Sequence, residues 1–507
     1  MNTKLSHSLF KRQYDDKKSF LIQLVINIVI ATIVVVPLFW VENFVLFKEI
    51  KDFALDKIMY WQSDFEPTLA NGQKMQRMVL ITIDDQTYRD WGFPMMTPRD
   101  KLKGLIEKAV QSGANVIAVD IELAWASDGC IHAPDKPPPA CSPALATADK
   151  ALADYLRDIN ERDTAPPIIL VGMYRKPLQE NGTIDKEAFF EKLPSFLDEI
   201  LKEENNVFWA SASFVVDEDR IWRRWQLAPL VCQDGHLTVV PSIQLLTALA
   251  ELHSQNGDTQ SAVMAIRELK TRLNEWAKQF SCDVEKKTIA ELCSVHKNCP
   301  DLTVTLLQKN RINDKTHVID LAAMDANDRI VYRFAPPNKQ EPGRLAVIDI
   351  HRAKEVLTHD GINAQNQIVF IGATHEDNKD RHPIPIRVLI DVDGVYLVAN
   401  ATDTLLRFGR LQPQSEQDKH IAFVLLVIFM AVVFTVFNTI VAHMLSFGLL
   451  FIPLLIWTFF QLHQGIVIDI ALYSLAIQIF HILVKGGKLL IKLWKTNRVL
   501  KKQAVSF

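Results

Sequence analysis

Two long apolar stretches constrain this chain more than any other feature. Phe20–Trp40 has about 21 residues without a formal charge, enough for a helix to cross roughly 30 Å of hydrocarbon. In the second stretch, between Lys419 and Lys485, Asp469 is the only formally charged residue. Apolar segments of this length are typical of membrane-spanning helices, so the sequence predicts an integral membrane protein.

The second stretch has room for three helices at about 20 residues each. Natural breaks at 443–446 and 463–465 separate them. Residues 19–41 favour an uncleaved anchor over a cleaved signal peptide, because their apolar core is longer than the roughly 7–15 residues of a signal. The sequence therefore predicts four spans: residues 19–41, and within 420–484 the segments Ile421–Ala442, Phe447–Leu462 and Ile466–Val484.

The charge distribution predicts the orientation. Residues 1–18 sum to about +3 and residues 485–507 to about +7, although the whole chain has 56 basic and 59 acidic residues. Basic flanks remain in the cytoplasm, and four spans place both termini on one side. We therefore expect a bacterial inner-membrane protein with a cytoplasmic N-tail (1–18), a periplasmic domain (42–419) and a basic cytoplasmic tail (485–507). The acidic domain argues against nucleic acid as a partner.

All six cysteines fall in the predicted periplasmic domain. An even number in an oxidising compartment favours disulfides over free thiols. Cys130 and Cys141 flank a proline-rich loop and form the favoured pair, whereas the other four leave three pairings open. A zinc site near Cys293, His296 and Cys299 is the less favoured alternative. The disulfide candidates are Cys130, Cys141, Cys232, Cys282, Cys293 and Cys299.

The predicted periplasmic domain has the pattern of an α/β fold. Met78–Asp84 and Asn115–Ile121 are apolar strands, and Pro98–Ser112 between them has apolar residues at helical spacing. Such nearly continuous apolar strands favour a largely parallel sheet covered on both faces. The other predicted strands are Pro167–Met173, Val207–Val216, Arg329–Phe334, Leu345–Ile350 and Ile368–Thr374. The other predicted helices are Phe44–Ser63, Thr147–Asp158, Pro241–His253, Ser261–Phe280, Ile350–His359 and Val395–Phe408, and residues 255–328 include a cysteine-containing insertion.

Several segments resemble, in order, the type-two CHASE domain, a sensory extracellular domain associated with cyclases and histidine kinases. They are ITIDDQTYRDWGFPMMTPRD (81–100), ANVIAVDIEL (114–123), VVDEDRIWRRWQLAPLV (215–231), and IVFIGATHEDNKDRHPIPI with DVDGVYLVANATDTLL (within 368–406). One span before the domain and three after it also match the family layout. The resemblance implies a sensor. Because only residues 485–507 follow the last span, we expect no cytoplasmic output domain here and a partner protein that supplies the output.

Acidic residues cluster where the predicted strands end. In open α/β sheets, ligands bind in the crevice at the carboxyl ends of the strands. The candidate ligand residues are Asp84, Asp85, Arg99, Asp120, Asp380 and Arg381. The structural alternative is that Asp84 or Asp85 caps a turn and pairs with Arg99. We expect neither catalysis nor a metal or cofactor, because the sequence shows no Ser/His/Asp arrangement, glycine-rich phosphate loop or HExxH motif.

Three further features have two interpretations each. The basic and aromatic residues at 220–225 favour a turn whose arginines pair with Asp217 and Asp219, with an acidic partner or lipid head group as the alternative. Asp469 is expected to be solvated at the membrane interface, or else to make a helix–helix contact within a complex. The basic amphipathic tail fits the anionic inner leaflet and a cytoplasmic partner equally well.

These observations favour a non-enzymatic membrane sensor. Its periplasmic domain would detect a small molecule, a peptide or an envelope state, and a membrane or cytoplasmic protein would receive the signal. The alternative is a structural or assembly subunit of an envelope complex. The expected partners are the lipid bilayer and that protein, and a homo-oligomer is compatible with both hypotheses.

Overall fold

The structure is a computed structural model whose described residues form two compact units. One unit combines residues 1–62 with 411–507, and the other comprises 63–410. The described residues are 17–41, 48–59, 78–124, 143–162, 164–179, 183–185, 188–254, 258–284, 288–295, 302–308, 315–321, 329–333, 348–359, 361–385, 390–437, 439–446, 448 and 452–504.

Strands and helices alternate through most of the 63–410 unit. The strands are β1 (Met78–Ile83), β2 (Val116–Asp120), β3 (Ile168–Val171), β4 (Tyr174–Arg175), β5 (Phe190–Lys192), β6 (Val207–Ala210), β7 (Phe214–Val216), β8 (Trp222–Trp225), β9 (Leu230–Gln233), β10 (His236–Val239), β11 (Thr303–Gln308), β12 (Lys315–Asp320), β13 (Ile348–Arg352), β14 (Ile368–Ala373), β15 (Arg381–Ile384) and β16 (Ile390–Asp393). The 1–62/411–507 unit adds β17 (Gln412–Pro413) and β18 (Ile466–Val467).

Fourteen helices are numbered here in chain order. They are α1 (Lys17–Val41), α2 (48–59), α3 (Asp85–Asp90), α4 (Arg99–Gln111), α5 (Pro143–Glu161), α6 (Ile243–His253), α7 (Thr259–Ala277), α8 (Ile289–Val295), α9 (Ala353–Thr358), α10 (Gly394–Phe408), α11 (Glu416–Val436), α12 (Thr439–Ser446), α13 (Ile452–His463) and α14 (Ile470–Ala504). A short 3-10 helix occupies Glu376–Asn378.

The core of the 63–410 unit is a six-stranded sheet in the order β13-β1-β14-β2-β3-β6, with every neighbouring pair parallel. β1 is an interior strand next to the edge strand β13, since Leu80 aligns with Ile350 of β13 and Phe370 of β14. Helices α4, α5 and α9 bury their apolar residues on one face. Helices α6 and α10 pack against β2, β3 and β14. The mixed α/β class and the parallel sheet predicted from the sequence are therefore confirmed.

Two predicted strands differ from the structure. The segment Val207–Val216 forms two strands, β6 and β7, because the chain leaves the sheet near Ser211. Predicted strand Arg329–Phe334 is not part of the sheet in its described residues 329–333. Its backbone instead bonds side chains of α10, with the Val331 N–H donating to Thr404 at 3.0 Å and the Arg333 N–H to Asn400 at 2.8 Å.

A disulfide fastens the smaller β10-β9-β5-β4 sheet to the chain that follows α7. It joins Cys232 of β9 to Cys282. Cys293 is also disulfide-bonded, so it is not available as a zinc thiolate. The favoured pair Cys130–Cys141 and the other two residues of the zinc alternative, His296 and Cys299, lie outside the described residues.

In the 1–62/411–507 unit, three described helices are long and apolar enough to cross a membrane: Lys17–Leu38, Glu416–Val436 and Ile470–Gly487. The predicted middle span, Phe447–Leu462, is instead represented by α13, which has 12 residues. A helix of that length rises about 18 Å, short of the roughly 30 Å hydrocarbon core. The predicted count of four spans is therefore not shown by these helices.

Asp469 caps and anchors the last long helix. Its carboxylate accepts a hydrogen bond from the Leu472 N–H at 3.2 Å and pairs with Lys51 of α2 at 2.6 Å. Asp469 is therefore held by contacts within the chain and not by solvent alone, and the alternative of a contact within a complex stays a prediction. Between α1 and α11, Asn27 donates to Thr435 at 2.8 Å in a buried interhelical hydrogen bond.

Candidate functional site

The carboxyl edge of the six-stranded sheet collects most of the predicted site residues. Asp84 follows β1 and caps α3, accepting a hydrogen bond from the Thr87 N–H at 2.9 Å. Its other oxygen pairs with Arg352 at 3.0 Å, at the end of the neighbouring strand β13. Asp85 accepts from the Glu376 N–H at 2.9 Å. Both aspartates therefore stabilise local chain turns, as the structural alternative predicted for one of them.

Arg99 is not part of this cluster. Its side chain is fully buried, 3.7 Å from Asp149 of α5 and 5.7 Å from the centroid of the Phe196 ring. Burial lowers the pKa of the Arg99 guanidinium, and the carboxylates of Asp149 and Glu122 oppose that shift. The predicted pairing of Arg99 with Asp84 or Asp85 was wrong, because the first residue of α4 faces α5 across the helix layer.

Three carboxylates meet beside the β15–β16 hairpin. Asp120 ends β2, Asp380 precedes β15 and Asp393 ends β16. Burial, together with a smaller contribution from the nearby Asp380 carboxylate, raises the pKa of Asp120 to about 7. Burial also raises the pKa of Asp393 to about 6, against a lowering effect from Arg381. We call Asp120, Asp380 and Asp393 the carboxylate cluster.

Two basic side chains accompany the carboxylate cluster. Arg381 donates from Nε to Asp393 at 3.4 Å, and His382 Nε2 lies 2.6 Å from an Asp380 oxygen. The His382 ring also packs on Trp222, with centroids 4.1 Å apart. The imidazole therefore links the cluster to the β7–β8 hairpin.

Glycines permit the close approach of α10 to this edge. The Gly394 N–H donates to the Asp380 carbonyl at 3.0 Å, and a Cβ at Gly394 would lie 2.2 Å from an Asp380 carboxylate oxygen. A Cβ at Gly372 of β14 would lie 2.5 Å from Cβ of Val395. A side chain at either position would clash, so the start of α10 packs in close contact with both β14 and the carboxylate cluster.

A stacked pair lies further along the same edge. The rings of Tyr88 and His375 are 3.9 Å apart and nearly parallel. Burial lowers the pKa of His375, which keeps the imidazole neutral over a wider pH range, while the carboxylates of Asp377 and Asp85 oppose that shift. The pair holds the start of the loop that leads from β14 to the hairpin.

Carboxylates that face one another in a half-buried site have a specific chemistry. Each negative charge raises the proton affinity of its neighbours, so the site takes up a proton or a cationic group more readily than an isolated aspartate does. No group of three His, Cys, Asp or Glu side chains with metal-binding geometry occurs among the described residues. The cluster therefore fits a proton or an organic cation.

The structure thus brings together three of the six predicted residues, Asp120, Asp380 and Arg381. Asp84 and Asp85 share the same edge in capping roles, and Arg99 lies elsewhere. Sequence reasoning missed Asp393 and His382. Asp393 lies two residues before the predicted helix Val395–Phe408 and directly before the observed α10, where an aspartate is a common helix-start residue, and that signal could have identified it.

The 220–225 segment has the structural role that the sequence favoured. Arg224 pairs with Asp217, and Arg223 pairs with Asp217 at 3.1 Å and Asp219 at 2.7 Å. Hydrogen bonds from Arg223 hold the pKa of Asp219 below its ordinary value. Trp225 is buried in the core.

Comparison with known proteins returned one family. The family model of the CHASE2 domain matches residues 30–436. The match begins within α1, includes the whole sheet with the carboxylate cluster, and ends with α11. No curated protein and no solved structure matches the chain.

Proposed function

This chain belongs to the CHASE2 domain family, a family of sensory extracellular domains, and from that premise we propose that it is a bacterial inner-membrane sensor. Its domain faces the periplasm, detects a ligand or an envelope state, and passes the signal to a partner protein without enzymatic activity of its own. The observation that carries the proposal is the carboxylate cluster. It combines raised pKa values with a direct backbone contact to the start of α10.

Helix α10 connects this cluster to the membrane segments along the chain. The β15–β16 hairpin is fixed to its first residue, and residues 409–415 separate its end from α11. A ligand that binds Asp380 acts on the helix start through the contacts of this residue with Gly394. Along the chain, a single helix and the link 409–415 therefore lie between the site and α11.

Strand pairing in the 1–62/411–507 unit supports four membrane crossings. β17 and β18 pair in parallel immediately before α11 and α14, so these two helices start at the same level and run in the same direction. The chain between them must return to its starting side, and α12 and α13 lie on that return path. With α1, this arrangement supports four crossings, and we propose that both termini lie in the cytoplasm.

The outward surface of the long helices supports a lipid environment. Large apolar side chains that would be costly in water are about half exposed along α1 and α11. They include Leu21, Val25, Ile33, Ile421, Val424 and Leu425. Helix α14 has 35 residues and therefore a length of about 52 Å, longer than the hydrocarbon core. Its basic end extends beyond the bilayer and offers a contact for a cytoplasmic partner.

A topology experiment tests the membrane part of the proposal. Alkaline phosphatase and green fluorescent protein would be fused after Gln412 and, separately, after Phe507. We expect the first position to be periplasmic and the second cytoplasmic. A periplasmic C terminus would contradict four crossings, and a cytoplasmic Gln412 would contradict the periplasmic domain.

A ligand screen tests the sensing part. Purified full-length protein in nanodiscs would be screened by thermal shift against small molecules and peptides, beside the Asp380→Asn variant. We expect ligands whose stabilisation is lost in that variant and kept in Asp349→Asn, which changes an exposed aspartate of β13. Absence of any such ligand, with stoichiometric co-purification of several envelope proteins, would favour the assembly-subunit alternative.

A further inference from the structure

A groove with a cavity volume of about 1290 Å³ runs beside α7, away from the carboxylate cluster. One wall is a stripe of α7 at helical spacing that includes Arg267, Lys270 and Glu275. The opposite wall is the chain at 193–205, and the floor includes Trp209 of β6. Lining residues are predominantly charged or polar, so the groove suits a hydrophilic ligand.

An ammonium group already occupies the floor of the groove. Lys192 Nζ lies 4.6 Å from the Trp209 ring centroid and 2.5 Å from a carboxylate oxygen of Asp198. Asp198 is itself oriented, because its other oxygen accepts from the Ser195 N–H at 2.8 Å. An indole face opposite a fixed carboxylate is the arrangement that proteins use to bind ammonium groups. We call Lys192, Asp198 and Trp209 the ammonium clasp.

A second ammonium group contacts the backbone of the same tryptophan. Lys270 donates to the Trp209 carbonyl at 2.8 Å and pairs with Glu204. Glu204 in turn accepts from the Trp209 N–H at 2.8 Å. Trp209 is 6% exposed, so these contacts position a nearly buried indole within the groove wall.

The rest of the groove carries excess negative charge. Apart from the ion pairs Lys192–Asp198, Lys202–Glu199 and Lys270–Glu204, its lining has four carboxylates and two cations. The carboxylates are Glu191, Glu203, Asp234 and Glu275, and the cations are Arg267 and Lys278. The excess favours a ligand with several positive charges.

We propose that this groove binds a ligand with several ammonium groups, a polyamine or a lysine-rich peptide. One ligand ammonium takes the place of Lys192 Nζ over Trp209 and beside Asp198. The remaining ammonium groups bind the four other carboxylates of the groove named above. Lys192 therefore competes with the ligand from within the chain. This proposal goes beyond the sensor function proposed above, because it assigns a second site with a ligand class of its own and does not involve the carboxylate cluster.

Isothermal titration of full-length protein in neutral-lipid nanodiscs tests the proposal, with spermidine and tetralysine as the two probes. Lys192→Met vacates the clasp, and we expect it to raise affinity about tenfold, because a desolvated cation–π contact is worth up to about 2 kcal/mol. Lys278→Met removes one positive charge from the same groove without touching the clasp. We expect it to raise affinity no more than about twofold.

A second pair of variants tests the four carboxylates of the groove that lie outside the ion pairs named above. Glu275→Gln should lower affinity about threefold, whereas Glu268→Gln, an exposed glutamate of α7 outside the groove, should change it little. Binding of one probe but not the other identifies the ligand as a polyamine or as a peptide.

Three results would overturn the proposal: no binding of either probe, equal effects of the two lysine variants, or equal effects of the two glutamate variants. If Lys192→Met does not fold, the comparison of Glu275→Gln with Glu268→Gln tests the proposal by itself. The topology and Asp380 experiments do not use these residues, so the sensor proposal can survive failure of the groove.

Discussion

Aspartates form two clusters in the 63–410 unit, and their surroundings differ in one respect. In the β7–β8 hairpin, Asp217 and Asp219 face the guanidinium groups of Arg223 and Arg224. At the carboxyl edge, the carboxylates of Asp120, Asp380 and Asp393 face one another, with Arg381 and His382 at the margin. The pKa of Asp219 is lowered, whereas the pKa values of Asp120 and Asp393 are raised.

The difference in charge pairing gives the two clusters different roles: one belongs to the structural framework, and the other can respond to its surroundings. A carboxylate paired with a buried arginine keeps its charge and its position over the accessible pH range. Carboxylates that repel one another are stabilised when a proton or a cation binds, so their environment can change their protonation or occupancy. The hairpin therefore supports the fold, and the carboxylate cluster is the part of this edge that can report a condition.

The largest expected effect comes from breaking the paired cluster. Asp217→Asn leaves the buried Arg224 without its carboxylate partner and should destabilise the protein by about 3 kcal/mol. The thermal unfolding midpoint of full-length protein in nanodiscs measures the loss. Glu218→Gln is the matched control, because Glu218 lies between the two aspartates and is exposed. Equal midpoints for the two variants would contradict the framework role.

Removing a charge from the carboxylate cluster should change stability in the opposite direction. Asp120→Asn removes a charge that folding disfavours, and at pH 8 it should stabilise the protein by about 2 kcal/mol. The folded-state pKa of about 7 lies above the unfolded value, so wild-type stability falls as pH rises from about 4 to 7 and then levels. Unfolding midpoints from pH 4 to 8 should show the gap between the proteins narrowing as pH falls. A gap independent of pH would contradict the raised pKa.

Gly394→Ala should disturb the carboxylate cluster with a smaller loss of stability, about 1 kcal/mol. The added Cβ displaces the half-exposed Asp380 carboxylate and not the backbone, so the neighbouring structure can relax. Moving Asp380 away from Asp120 should weaken the repulsion and reduce the pH dependence described above. The double variant Gly394→Ala/Asp380→Ala should regain the lost stability. If the double variant does not recover this stability, the loss in Gly394→Ala does not come from the contact with the Asp380 side chain.

The sequence predicted the parallel sheet well because its strands carry their own signal. Met78–Ile83 and Ile368–Ala373 are continuously apolar and buried at every position, and the helices between strands have clear periodicity. The carboxyl edge followed from the same pattern, since parallel strands end together. This part of the site required only local information.

The partners of the charged residues could not be predicted from the sequence, because they depend on strand order and helix packing. Arg352 meets Asp84 only because β13 lies beside β1, although the two residues are 268 positions apart in the chain. Arg99 meets Asp149 through the packing of α4 on α5. The segment 329–333 resembled a strand because it is apolar, yet the side chains of α10 satisfy its backbone.

The smallest expected effect concerns Arg381, which pairs with Asp393 of the carboxylate cluster. Its side chain is 46% exposed, so the pair with Asp393 contributes less than about 1 kcal/mol after solvent screening. Arg381→Gln removes a charge that lowers the pKa of Asp393, so that pKa should rise above about 6. A raised folded-state pKa extends to higher pH the range over which stability falls with rising pH.

Arg352→Gln provides the control for this prediction, because Arg352 is also about half exposed and pairs with Asp84 at the same edge. Both variants lose one surface ion pair, but only Arg381→Gln should alter the pH dependence of the unfolding midpoint near pH 6. If both variants shift that dependence equally, the response belongs to the net charge of the edge. If only Arg381→Gln shifts it, the response belongs to the carboxylate cluster, and Arg381 sets how much positive charge the cluster still accepts.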